Sequence, residues 1–315
     1  MIPHSRSQTD FQTRPVSIAI TGANSSVGKI LLKHIVDQDD LQARAGVRTQ
    51  EAVATLPSDP GVTPCVICYD DKDTLATLLD GVSCLVHLAG ILIESKHSNY
   101  QAANVDPTGA VVEACRHANV DHIVFISSLG ADINSGNRYY RSKGVAEEVI
   151  VHSGISATII RTSMLLGPGT AGAQSLVRIA SRPSVRMLGG GDYSLRPLDV
   201  DDLIDAILHC CRVQTDGVTV HELVGPEPIT HRDLITTTGQ LMGHNVSIAT
   251  MPVWTAKLGA AMASWIRQGG MTPTVIEVIT ADETVPRNAD VDLGVSLTPL
   301  SVTLKKLLLE NTHRQ

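Results

Sequence analysis

The chain has no surplus of positive charge, no long apolar run and no metal-binding pattern, and each absence removes a class of function. Its 25 lysines and arginines are outweighed by 32 aspartates and glutamates, for a net charge of −7. Such a surface has no basic stripe to neutralise a phosphate backbone, which excludes nucleic acid as a general partner. No apolar segment reaches the roughly 20 residues that a membrane span requires, so no transmembrane segment is expected. Six cysteines in 315 residues do not make a disulfide scaffold. Cys65 and Cys68 form a CxxC, but they lie in the β-branched run "VTPCVICY", with no second CxxC to complete a zinc site. They read as part of a buried strand. The twelve histidines are scattered, without HxxxH or HExxH, and no metal site is expected. Residues 1–14, "MIPHSRSQTDFQTR", lack the apolar core of a secretory signal. Their shortness and Asp10 weigh against a mitochondrial presequence. They are expected to form a flexible N-terminal arm on a cytoplasmic protein.

What is present is an alternation. Short apolar runs ("VSIAIT", "ARAGV", "PCVICY", "CLVHLAG", "HIVFISS", "ATIIRT") are separated by helical patterns ("SSVGKILLKHIVDQ", "DKDTLATLLDG", "VDPTGAVVEACRHAN", "RSKGVAEEVIVHSG"). Near-continuous apolar strands alternating with helices predict an α/β fold, a doubly wound parallel sheet of Rossmann type covered on both faces. We assign residues 15–165 to a dinucleotide-binding domain. After Arg161 the rhythm changes to loops rich in glycine and proline, "GPGTAG", "RPS" and "LGGGD". Residues 166–315 are expected to form a smaller, interleaved C-terminal lobe for the substrate, with some segments returning to the sheet. Within it, Trp254, Leu258, Met262 and Trp265 recur at helical spacing and read as a core stripe, with a membrane or partner face as the other reading.

The first strand runs into "TGANSSVG". Gly22 permits a sharp turn, Gly28 permits close helix packing, and the amides around Asn24, Ser25, Ser26 and Val27 are placed to face a pyrophosphate. At the end of the second strand stands Arg48, with no acid before Glu51. That arrangement favours the 2′-phosphate of NADP(H) over NAD, although NAD remains open and a solvated loop charge is the other reading. The strand "HIVFISS" ends in Ser127 and Ser128, and the next helix carries Tyr139, Tyr140 and Lys143. A phenol near pKa ~10 is a poor proton donor-acceptor at neutral pH, and a nearby ammonium lowers that value. On a helix both tyrosines face the lysine, at about 40° for Tyr139 and 60° for Tyr140, so geometry only leans towards Tyr139.

These motifs resemble the short-chain dehydrogenase/reductases in their extended and atypical branches. Within these the chain is similar to the nucleotide-binding accessory subunit of respiratory complex I and its bacterial relatives. The resemblance runs over about residues 16–308. It departs from TGxxGxxG at Ser25, which implies a less close approach of backbone to phosphate. It implies Ser128, Tyr139 and Lys143 as the catalytic set, with Ser127 the alternative serine and Tyr140 a packing or substrate-wall residue. It places Asp71 near the adenine, Leu88, Ala89 and Gly90 (of "HLAG") by the nicotinamide ribose, and Asn104 as a brace. Lys143 would also hold the ribose. Arg196 and Tyr193 are expected on the substrate side, where Arg196 either meets an anionic substrate or is structural. The expected activity is NADP(H)-dependent oxidation or reduction of a small-molecule carbonyl or hydroxyl substrate. A non-catalytic NAD(P)H-binding sensor or assembly protein, or a sugar-nucleotide epimerase or dehydratase, is the alternative. The oligomeric state is not legible in the sequence.

Overall fold

The computed structural model describes residues 15–255 and 272–312. The expected N-terminal arm, together with Leu258, Met262 and Trp265, lies outside the described residues. Six strands follow one another through the first half: β1 (Val16–Thr21), β2 (Leu41–Val47), β3 (Val62–Val66), β4 (Cys84–His87), β5 (His122–Ser128) and β6 (Ser156–Thr162). A seventh, Val218–Leu223, joins from far along the chain, and the order across the sheet is that strand, then β6, β5, β4, β1, β2 and β3, all parallel. The order reverses between β1 and β4. The crevice beyond their carboxyl ends is where ligands bind in open α/β sheets.

Helices α1 (Ser26–Val36), α2 (Gln50–Val53), α3 (Lys72–Leu79), α4 (Asp106–Ala118) and α5 (Arg138–Val151) connect these strands. All but the four-residue α2 bury one stripe. Leu31, Leu32 and Ile35 of α1 join one side of the core, and Leu75, Leu78 and Leu79 of α3 join the other. Each such side chain contributes about 1.5–3 kcal/mol of transfer free energy. Cys65 is buried within β3 and Cys68 is exposed just past its end.

Beyond β6 the chain builds α6 (Ala171–Ala180), α7 (Val200–Val213) and α8 (His231–Leu241). The amphipathic α7 returns to the sheet, where its Leu203, Ile204 and Ile207 pack in the same cluster as α1. Among the described residues, three two-stranded ladders hold the remainder together, the longest of them pairing Ser184–Leu188 with Ser247–Met251. Trp254 is 69% exposed, so at that position no core stripe forms. No described helix is long and apolar enough to cross a membrane.

Asp199 fastens the C-terminal helix Leu300–Thr312 to this body. Its buried carboxylate accepts the Asp201 amide (3.0 Å) as the N-cap of α7. It also accepts the Thr303 hydroxyl (2.6 Å) and the Lys306 ammonium (3.0 Å). Losing a cap costs about 1 kcal/mol and losing a charged hydrogen bond about 1.5–3 kcal/mol. Asp199→Ala is therefore expected to lower unfolding free energy by about 2–4 kcal/mol, measured by urea denaturation with an unchanged m-value.

Candidate active site

The turn between β1 and α1 is built for close approach. Gly22 holds φ +71°, and a Cβ there would lie 3.1 Å from the Ala89 nitrogen and 3.2 Å from the Leu88 carbonyl carbon. A Cβ on Gly28 would lie 2.6 Å from the Ala23 oxygen, so α1 sits directly against the turn. Ser25, standing where the resemblance has a glycine, is the N-cap of α1 and accepts the Gly28 amide at 3.0 Å. The amides of Ser26 and Val27 have no partner among the described residues. Unpartnered amides at a helix N-terminus, with the positive end of its dipole, fit a pyrophosphate.

Next to this turn lies the end of β4. Buried His87 bonds the Thr21 hydroxyl through Nδ1 (2.6 Å) and the Thr108 hydroxyl through Nε2 (3.1 Å). Burial, and to a lesser degree the charge of Lys143, pushes its pKa down to about 3, so the ring stays neutral. It fixes the strand ends rather than moving protons. Asn104 braces the loop that follows. Its side chain accepts the Ile91 amide (2.7 Å) and donates to the Ile91 carbonyl (3.2 Å) and the Ser142 hydroxyl (2.9 Å), tying the loop to α5.

Ser127 and Ser128 end β5 with opposite tasks. The Ser127 hydroxyl is buried and donates to Glu147 at 2.5 Å. Ser128 contacts the Tyr139 hydroxyl, and its Oγ also reaches the Leu129 carbonyl at 3.1 Å. Asn137 caps α5 by accepting the Tyr139 and Tyr140 amides, which starts the helix at the tyrosine pair. Lys143, one turn on, is buried. Its Nζ donates to the Ile126 carbonyl (2.8 Å) and lies 4.1 Å from the Phe125 ring centroid. Burial brings its pKa down to about 8, against the charge of Glu147.

The tyrosine differs from the sequence expectation. Burial raises the Tyr139 pKa, offset only by the Ser128 contact, and Lys143 is turned to Ile126 rather than to the phenol. With the ammonium held by a carbonyl, the phenol keeps its proton.

Several of these groups open onto one cavity of about 1150 Å³. It brings together Ser25, Ser26, Val27, Leu88, Ala89, Gly90, Ser128, Tyr139, Tyr140 and Lys143 from distant parts of the sequence. Gly22 and Gly28 support its floor from behind. Asn24, Arg48, Asp71 and Asn104 do not line it. Arg48 is exposed just past β2, without an ion pair among the described residues, close enough to the partly buried Tyr69 phenol to act on it electrostatically. Asp71 caps α3 by accepting the Asp73 amide at 3.0 Å. Arg196 is structural, its guanidinium donating to the carbonyls of Gly225 (3.0 Å) and Pro226 (2.9 Å). Tyr193 bonds His231, which lines the cavity.

Two wall residues carried no sequence signal. The Glu283 carboxylate accepts the backbone amides of Met164 (3.0 Å) and Arg196 (2.8 Å), and burial raises its pKa. The Thr162 hydroxyl, at the end of β6 beside Ser128, is buried without a partner.

Residues 22–185, from the glycine turn to the strand after α6, match the model of the NAD(P)H-binding family. The chain belongs to this family. Its relatives lie among the extended short-chain dehydrogenase/reductases. The ceramide reductase of Caulobacter vibrioides is 25% identical over 251 residues, covering 79% of this chain and 78% of that protein. Mitochondrial NADH dehydrogenase (ubiquinone) 1 alpha subcomplex subunit 9 of Arabidopsis thaliana is 24% identical, covering 68% of this chain and 55% of its own length. Among solved structures, MoeE5 in complex with UDP-glucose and NAD superposes with a TM-score of 0.73 at 18% identity. That match covers 95% of this chain and 99% of the other. The UDP-glucuronic acid 4-epimerase of Bacillus cereus, with UDP-glucuronic acid and NAD, gives 0.70 at 16% identity over 93% and 99%. At these identities the structural likeness speaks for the fold alone.

The family match begins at the glycine turn, and its open amides fit a dinucleotide's pyrophosphate. Gly22→Val would place a branched side chain on a left-handed backbone against Ala89. Titration with NADPH is expected to show no binding for this variant, with the far-ultraviolet circular dichroism of the wild type retained.

Proposed function

We propose that the chain is an NADP(H)-dependent oxidoreductase acting on a carbonyl or hydroxyl carbon, with Ser128, Tyr139 and Lys143 as its catalytic residues. The observation that carries this reading is the cavity: its floor is the amide-lined turn, and its wall holds that serine, phenol and ammonium together. NADP(H), when bound, supplies or takes up the hydride. Ser128 orients the substrate oxygen by hydrogen bonding. Tyr139, kept protonated by its surroundings, donates a proton to that oxygen in the reducing direction and recovers it in the other. Lys143, with a pKa of about 8, carries charge at neutral pH and can steady the phenolate. Arg48, exposed and without an ion pair among the described residues, is available to a 2′-phosphate.

A second reading, a protein that holds NADPH without turnover, is favoured by Lys143 facing Ile126 rather than the phenol. The likeness to a respiratory-chain subunit points the same way. An epimerase that keeps NAD is disfavoured by Arg48.

Tyr139→Phe removes one oxygen and is expected to lower turnover of a carbonyl substrate by about 10²–10⁴-fold with NADPH affinity unchanged. Tyr140→Phe should do far less. In wild type, kcat/KM should fall as pH rises through about 8, where the free enzyme loses the Lys143 charge. The assay is NADPH oxidation over a panel of carbonyl compounds, and tight NADPH binding without turnover of any of them selects the second reading.

Arg48→Ala tests the cofactor. Loss of a charged hydrogen bond worth about 1.5–3 kcal/mol should weaken NADPH binding roughly 10- to 100-fold and leave NADH binding unchanged. Calorimetric titration of both nucleotides checks it, and equal or tighter NADH binding to wild type would refute the NADP(H) assignment.

A further inference from the structure

We infer that the compound this cleft takes is an uncharged carbonyl or alcohol with a long apolar body, and not a nucleotide sugar. The inference names the substrate class of the site proposed above, and it relies on that reading for the position of the reacting carbon.

The first argument is the wall. The cavity that Tyr139 lines is also lined by Leu92, Ile93, Leu129, Met164, Ile179 and Val278, contributed by three loops, α6 and the short helix Pro273–Ile279. Leu92 and Ile93 are 37% and 46% exposed, so the apolar lining continues from the reacting groups out to solvent. A lone exposed leucine needs no explanation. Two adjacent exposed apolar residues that also line a deep cavity form an entrance along which an aliphatic chain can lie. Burial of each methylene there should strengthen binding about fourfold.

The second argument is charge. A nucleoside diphosphate sugar needs cationic forks or free amides for its diphosphate. Among the described lining residues the cations are Lys143, buried against the Ile126 carbonyl, and Arg178, exposed on α6. Arg196 is spent on Gly225 and Pro226, and its amide holds Glu283. His231 is bonded to Tyr193, and burial lowers its pKa, so it adds no charge at neutral pH. The same lining carries Glu222, Asp282 and Glu283. Arg161 faces Glu222 at 4.0 Å. Asp282 and Glu283 have only backbone amides as partners among the described residues: the Ser194 amide (2.7 Å) for the first, the Met164 and Arg196 amides for the second. These carboxylates, Asp282 exposed and Glu222 and Glu283 partly buried, repel a diphosphate. They accept hydrogen bonds from a hydroxyl or amide N–H on a neutral substrate.

The test uses the full chain without cofactor, with Nile red as a neutral apolar probe of the cavity. Hexan-2-one, octan-2-one and decan-2-one are titrated as displacers beside UDP-glucose and UDP-glucuronic acid, and the same compounds are assayed for NADPH oxidation. The inference expects dye displacement to strengthen about fourfold per methylene and no displacement by either UDP-sugar at millimolar concentration. Val278→Asn should weaken decan-2-one at least tenfold with NADPH titration unchanged, and Ile179→Asn serves if that variant does not fold. Displacement by a UDP-sugar, or affinity flat in chain length, overturns the inference whether or not NADPH is oxidised. Displacement that follows chain length, without turnover of any ketone or oxidation of the matching alcohols, upholds the ligand class and contradicts the oxidoreductase reading.

Discussion

The buried carboxylate of Glu147 holds the groups proposed to react in register. From α5 it accepts the Ser127 hydroxyl of β5 and, through both oxygens, the guanidinium of Arg161 on β6 (3.0 and 2.6 Å). One side chain thus locks the helix that carries Tyr139 and Lys143 to the two strands beneath it. A buried ion pair adds little net stability over an apolar substitute, but removing one member costs about 3–5 kcal/mol because the other is stranded. The arrangement sets position more than stability. It also commits the Ser127 hydroxyl; of these two serines, both on the cavity lining, Ser128 is the one in contact with Tyr139. The same carboxylate lies one turn after Lys143 and favours its charged form against burial.

A second constraint acts from the opposite side of the crevice. The Thr21–His87–Thr108 chain joins the ends of β1 and β4 to α4, with the imidazole neutral and packed on Phe125. Lys143 lies over the other partner of that stack, Phe125, and so the two halves of the site meet at one ring. The glycine turn and the wall that carries Tyr139 and Lys143 are held by separate networks that share this contact. That division explains how a Rossmann half can be kept while the chemistry on it varies.

The parts of this account legible in the sequence are those fixed by local rules. The β1 turn announces itself through Gly22 and Gly28 between an apolar strand and an amphipathic helix, and α5 through a helical run opening on the tyrosines. The doubly wound parallel sheet followed from the alternation of periods, whereas the order of strands across it needed the folded chain. Glu147, Glu283 and Thr162 were illegible because their roles depend on partners 14 to 119 residues away or on having none. Arg196 and Lys143 show the same limit in reverse. The residue types were readable, but only the folded chain shows that carbonyls at Gly225, Pro226 and Ile126 hold their charged groups. Ser25 is a milder case, where a departure from a glycine pattern proves to be a helix cap.

The central claim is that one cavity holds the dinucleotide on the α1 amides and presents its nicotinamide to Tyr139. A crystal structure of the full chain with NADP⁺ tests it most directly. The account predicts the diphosphate on the amides of Ser26 and Val27, the 2′-phosphate at Arg48, and the nicotinamide ribose within hydrogen-bonding distance of Lys143, its ammonium moved off the Ile126 carbonyl. A nicotinamide ring turned away from Tyr139, or a diphosphate bound anywhere other than the β1–α1 turn, would contradict it.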